Sequence, residues 1–138
     1  MKSKPLFFIF IFSILGILLS GYSLYHHYST SKGICDINEK LSCDVVNRSI
    51  YSEIFGIPVA LIGILGYLCL ALVSYIMIKN NSNDFKDLLF LSSLLGLLFS
   101  AYLTYVEAFK LYTFCPLCLG SAFIIIIIFI CSILIRKR

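Results

Sequence analysis

"CPLCLGSAFIIIIIFICSILIRKR", residues 115–138, sets the terms for the rest of the chain. Two thiols open it at Cys115 and Cys118, an apolar run carries on to Ile135, and Arg136, Lys137 and Arg138 close it. The stretch from Pro116 to Ile135 has the roughly 20 residues that a helix needs to cross about 30 Å of hydrocarbon. Its Ile124–Ile128 core is β-branched, yet a lone strand in lipid leaves edges that nothing can satisfy. Hydrogen-bond satisfaction therefore outweighs strand propensity, and the segment is expected to be a membrane-spanning helix.

Working outward, the same reasoning finds three more spans, at 5–25, 58–78 and 88–106. Of the 138 residues, 60% are hydrophobic and only 13% charged, too few polar groups to coat a water-soluble globule. The expected fold is an all-α integral membrane protein, a four-transmembrane-helix bundle that forms one domain over 1–138 with no room for a separate soluble one. "MKSK" followed by "PLFFIFIFSILGILLS" also has the outline of a signal peptide. The apolar stretch is longer than the usual ~7–15-residue core, however, and Tyr and His follow it rather than a small-residue cleavage site. It is read as the first span.

Lys and Arg concentrate on the cytoplasmic side of membrane proteins. Lys2, Lys4, Lys79, Lys86, Arg136, Lys137 and Arg138 fall in short tails and one short turn, "KNNSNDFK" at 79–86. Lys32, Lys40, Arg48 and Lys110 are diluted over the 26–57 and 107–114 loops and offset by Asp36, Glu39, Asp44, Glu53 and Glu107. Both termini are therefore expected in the cytoplasm and the two loops outside. The formal charge of +4 follows from this topology. No basic surface interleaved with aromatics suggests nucleic acid.

This topology puts Cys35, Cys43, Cys115 and Cys118 at the outer face, where thiols can persist as disulfides. Cys69 lies within span two and Cys131 towards the far end of span four, and both read as small apolar packing residues. Pro116 suits the first helical position, which sets Cys115 near the cap and Cys118 in the first turn. Unpaired N–H groups and the positive helix end favour a thiolate there, the species that thiol exchange requires. Haem attachment would need His after the second Cys, where Leu119 stands. A four-thiolate zinc site is disfavoured by the loose Cys-x7-Cys spacing and the oxidising compartment, so no metal is expected. A small membrane scaffold with two structural disulfides stays open as an alternative.

The 26–57 loop begins with His26 and His27, read as headgroup contacts, and Tyr22, Tyr25, Tyr28, Tyr105 and Tyr112 suit an aromatic belt on the same side. A chain as short as Cys35 to Cys43 spans at most about 27 Å, so these thiols can meet and can also separate. From Ser42, a reasonable N-cap, the pattern turns helical: Cys43, Val46, Ile50 and Ile54 recur on one side. A short amphipathic helix lying on the bilayer surface is expected. Ser49 sits beside its apolar side, where a hydroxyl can reach a ligand or face solvent. Gly56 and Pro58 end the loop.

Taken together, Cys35-x7-Cys43, Ser49, "GIPVALIGILGY" (56–67), "YLTYVEAF" (102–109) and Cys115-Pro-Leu-Cys118 resemble the bacterial, disulfide-forming branch of the vitamin K epoxide reductase family over nearly the whole chain. DsbB-type enzymes carry the Cys-x-x-Cys before the loop pair, the reverse of the order here. The resemblance implies a bundle enclosing a quinone, ubiquinone or menaquinone, beside the Cys-x-x-Cys pair. It also implies the roles. Cys35 exchanges with a thioredoxin-fold, DsbA-like partner, Cys43 shuttles electrons to Cys115, Cys118 faces the quinone, and Ser49 helps to hold it. Many members carry a fused thioredoxin-like domain. The chain stops at Arg138, so the partner is expected to be a separate protein. The implied activity is quinone-dependent reoxidation of that partner, at the outer face of a bacterial inner membrane and linked to the quinone pool. Reduction of a quinone or of vitamin K epoxide, for quinone recycling, is the alternative within the family.

Overall fold

A backbone in hydrocarbon must satisfy its own N–H and C=O groups, and this requirement shapes the chain. The computed structural model describes residues 3–28, 53–54, 56–81, 84–111 and 116–137. Helix α1 runs Ser3–Tyr28, α2 Val59–Asn80, α3 Lys86–Val106 and α4 Pro116–Lys137. Two short strands, β1 (Glu53–Ile54) and β2 (Ile57–Pro58), lead into α2. Among the described residues, four segments are long and apolar enough to cross a membrane: Lys4–Tyr25, Val59–Asn80, Lys86–Lys110 and Pro116–Lys137. Each coincides with one of the expected spans to within a few residues, the third excepted.

That exception bears on function. The loop expected from residue 107 begins later, because α3 continues as a π-helical turn over Glu107–Leu111. The Glu107 backbone N–H donates to the carbonyls of both Leu103 and Thr104 as the helix changes its winding. A second difference concerns Ile54, expected on the apolar side of a loop helix. Glu53 pairs with Pro58 and Ile54 with Ile57 in an antiparallel ladder, closed at Gly56 with φ +80°, a value that suits glycine. The amphipathic helix expected from Ser42, and Tyr112 of the aromatic belt, lie outside the described residues.

Contacts between helix ends define the bundle. Phe10 near the start of α1 meets Tyr75 near the end of α2, ring centroids 6.1 Å apart, so these helices are antiparallel. Arg136 at the end of α4 reaches Asp87 at the start of α3, 3.2 Å away, and lies 4.6 Å over the Phe90 ring. Helix α1 packs on α2 and α4, and α3 packs on α4, while α2 and α3 touch sparsely. Lys4, Lys79, Lys86, Arg136 and Lys137 consequently share one end of the bundle, and Tyr25, Pro58, Tyr105 and Cys118 the other.

The two halves are built differently. Leu6, Ile9, Leu70, Val73, Met77, Leu89, Ile124, Ile128 and Ile135 are buried in one cluster, which Tyr67 and Ile125 extend past the bundle's middle. Polar groups there close on themselves or on each other: Ser13 bonds the Ile9 carbonyl, Ser74 that of Leu70, and Ser93 meets Ser132 across α3 and α4 at 2.9 Å. Such bonds persist where no water competes. Phe7, Leu18, Leu72, Leu98, Phe123 and Ile130 point outward, an apolar exterior suited to lipid. Towards the Cys118 end the same four helices enclose a cavity, with Tyr67 and Ile125 of the cluster on its wall.

Candidate functional site

Cys118 stands in the first turn of α4, half-buried, on the wall of a cavity of about 450 Å³. Pro116 is the first residue of that helix, the position where its missing N–H matters least. The cavity wall runs along α2 from Val59 to Leu70, ~16 Å of helix rise. It therefore reaches from the Cys118 end to mid-bundle. It lies where α2 and α3 diverge, with Leu95, Gly96, Phe99 and Leu103 on one side and Ile62, Gly63 and Gly66 on the other. The lining is mostly apolar, and its volume falls within the roughly 300–1,000 Å³ typical of small-molecule sites.

A few polar groups interrupt that lining. Tyr67, 5% exposed, donates its hydroxyl to the Ser121 carbonyl at 2.8 Å and also meets the Ser121 Oγ at 2.7 Å. Ser20 and Ser23 face the cavity from α1, and Ser100 and Thr104 from α3. The Thr104 hydroxyl donates to the Ser100 carbonyl. Among the described residues, the wall carries one carboxylate, Glu107. Glu107 is 2% exposed, which corrects its reading as a charge of the outer loop. The helix continues through the expected end of the span, and the Glu107 side chain lies at the wall rather than in solvent.

Two thiols read from sequence as packing residues part company. Cys131 packs against the buried cluster as expected. Cys69 is exposed on α2 and lines the cavity, a correction that follows from the hollow at that level: a side chain facing the void has no core to fill. Of the five site residues read from sequence, Cys118 is placed on the cavity wall, while Cys35, Cys43, Ser49 and Cys115 lie outside the described residues.

Tyr67, Ser121 and Glu107 escaped the sequence reading. The available signal was a polar atom within an otherwise apolar span, since a buried Tyr hydroxyl normally finds a hydrogen-bond partner.

A comparison with family models matches residues 7–133 to one described as the vitamin K epoxide reductase family. The chain belongs to the vitamin K epoxide reductase family. Comparison with individually curated proteins returns no match. As a member of the vitamin K epoxide reductase family, the protein is a multi-pass membrane oxidoreductase whose chemistry joins thiols to quinones. The cavity suits such an acceptor: an apolar wall for ring and tail, few polar groups, and a thiol at one end.

Proposed function

We propose that the protein is a quinone-dependent thiol oxidoreductase that reoxidises a thioredoxin-fold, DsbA-like partner and so drives disulfide formation in exported proteins. The observation that carries this reading is Cys118 in the first turn of α4, on the wall of an apolar cavity large enough for a quinone head. Thiol exchange needs an accessible, stabilised sulfur, and a quinone needs lipid. The two requirements meet where a helix start opens into a membrane-embedded cavity.

In this reading the partner's dithiol reduces the Cys35–Cys43 disulfide, and Cys43 as thiolate attacks a Cys115–Cys118 disulfide at Cys115. The transient Cys43–Cys115 bond resolves to Cys35–Cys43, leaving Cys115 and Cys118 as thiols. The quinone accepts two electrons and two protons and leaves as hydroquinone while the Cys115–Cys118 bond reforms. Helix α4 contributes its first-turn N–H groups and positive end, which lower the cost of a thiolate. The sparse α2–α3 seam gives an apolar acceptor a route in from the bilayer. Ser49 is assigned to hold the acceptor from the loop side. Ubiquinone or menaquinone from the membrane pool is the acceptor, the termini lie in the cytoplasm of a bacterial inner membrane, and the site faces outward. Lys4, Lys79, Lys86, Arg136 and Lys137 at the opposite end support that orientation.

The test is quinone reduction by the purified protein supplied with a reduced thioredoxin-fold partner. Turnover is expected, with loss of turnover in Cys118→Ala and accumulation of a Cys43–Cys115 disulfide in Cys35→Ala on non-reducing gels. No quinone reduction by the intact protein, or full rate in Cys118→Ala, would overturn the assignment.

A further inference from the structure

We propose that Tyr67 is a positioning residue that braces α1 against α4 and thereby fixes the turn that carries Cys118. The inference deepens the thiol–quinone reading where it concerns turnover, and it also stands on geometry that needs no acceptor.

The Tyr67 ring occupies a notch that only glycine leaves open. A Cβ on Gly16 would lie 2.6 Å from two ring carbons, far inside contact distance, so the ring rests on the backbone of α1. From that footing the hydroxyl reaches α4 and makes its two contacts with Ser121, at 2.8 and 2.7 Å. Ser121 lies three residues beyond Cys118, on the same side of the helix, and both line the cavity. A displacement of Ser121 is therefore a displacement of Cys118.

The hydrogens decide between bracing and ligand binding. Tyr and Ser hydroxyls carry one hydrogen each. In the arrangement that makes both contacts, Tyr67 donates to the Ser121 carbonyl and Ser121 donates back to the Tyr67 Oη. Neither hydrogen remains for a quinone carbonyl, which can only accept. The pair is closed upon itself, and its effect on chemistry runs through the position of α4. Its location favours this role, because the first turn of a helix has N–H groups without intrahelical partners and is where a helix loosens first.

The experiment uses the full chain in lipid nanodiscs, with Tyr67→Phe, Ser121→Ala, their combination, and Gly16→Ala. One readout is the alkylation rate of reduced Cys118 by a maleimide, followed on the Cys118 peptide by mass spectrometry. The others are kcat and KM for a short-tailed quinone, and the thermal midpoint.

Tyr67→Phe keeps the ring in its notch and removes the hydroxyl. It is expected to speed alkylation and lower kcat by about three- to tenfold, the scale of one or two hydrogen bonds within a membrane, with KM within about twofold and the midpoint little moved. Ser121→Ala, which retains the carbonyl contact, should give a smaller change in the same direction, and the double variant no more than Tyr67→Phe alone. Gly16 is not on the cavity wall, so Gly16→Ala should reproduce the effect only by displacing the ring. If Gly16→Ala fails to fold, Tyr67→Phe decides. Unchanged alkylation in Tyr67→Phe would overturn the brace. So would a raised KM at constant kcat, which would make Tyr67 a direct quinone contact. If the parent protein fails to reduce quinone, the functional reading falls, while the alkylation rates still judge the brace.

Discussion

Filling the cavity from Gly66 separates its role in function from its role in stability. A Cβ built at Gly66 meets nothing within 4 Å, and the residue lines the cavity. Gly66→Leu therefore starts its four-carbon side chain in open space at the cavity wall. In a helix interior the substitution is favourable by about 0.8 kcal/mol, since Gly is among the poorest helix formers and Leu among the better ones. Affinity moves the other way. A quinone leaves lipid rather than water, and lipid tails are as apolar as the wall, so little hydrophobic transfer energy is at stake and lost contacts dominate. At about 0.3 kcal/mol per ligand atom for a ligand of ordinary size, excluding four atoms costs about 1.2 kcal/mol, or about eightfold in affinity. If the displaced ring no longer reaches Cys118, kcat falls as well. The assay pairs steady-state quinone reduction over a range of quinone concentration with thermal unfolding of the same preparation. Gly21→Leu serves as the control, because Gly21 has equally open space and is not on the cavity wall. A folded Gly66→Leu protein with unchanged kcat and KM would refute the reasoning, since the acceptor would then bind elsewhere.

Three further outcomes follow from the same geometry. Cys131→Ala, at a half-buried site packed on the buried cluster, should leave quinone turnover within about twofold and lower thermal stability slightly, as expected of a small apolar packing residue. Glu107→Leu, which removes a buried carboxylate from the cavity wall, should destabilise by about 1–3 kcal/mol in denaturant or detergent unfolding, whereas Glu107→Gln, which keeps hydrogen-bonding atoms in place, should cost less. A double-mutant cycle on Ser93→Ala and Ser132→Ala, whose hydroxyls meet at 2.9 Å, should return a coupling of about 0.6 kcal/mol; a coupling of zero would mean that other partners in each helix replace the bond.

The four spans were legible because length and hydropathy in lipid leave a chain little choice. Pro116 announced the start of α4 for a local reason, the absent N–H, and Cys118 came with it. What sequence did not disclose is which apolar residues face core, lipid or a void. Leu89 is wholly buried, Leu98 faces outward and Leu103 lines the cavity, yet all three are leucines of one helix. Periodicity is nearly silent when every face of a helix is apolar, and packing between α2 and α3 is a property of the assembled bundle. The end of span three was misjudged for a related reason. A carboxylate after an apolar run ordinarily marks the exit into water, and the continuation of the helix through Glu107 as a π-helical turn has no signature in composition.

Polar atoms in these spans carry more positional information than apolar ones. A leucine is content in core, in lipid or beside a void, so its presence does not discriminate among them. A hydroxyl or carboxylate in hydrocarbon needs a partner or a pocket, and satisfying it constrains neighbouring helices. Ser13 and Ser74 bond their own helices and so constrain little. Ser93 and Ser132 also lie within reach of carbonyls of their own helices, at Phe90 and Phe129, and when one hydroxyl donates to the other they join α3 to α4. Tyr67 and Ser121 join α2 to α4 at the cavity wall, over a glycine on α1 that makes room for the ring. Gly16, Tyr67 and Ser121 thus form one line of contacts from α1 through α2 to the turn of α4 that carries Cys118.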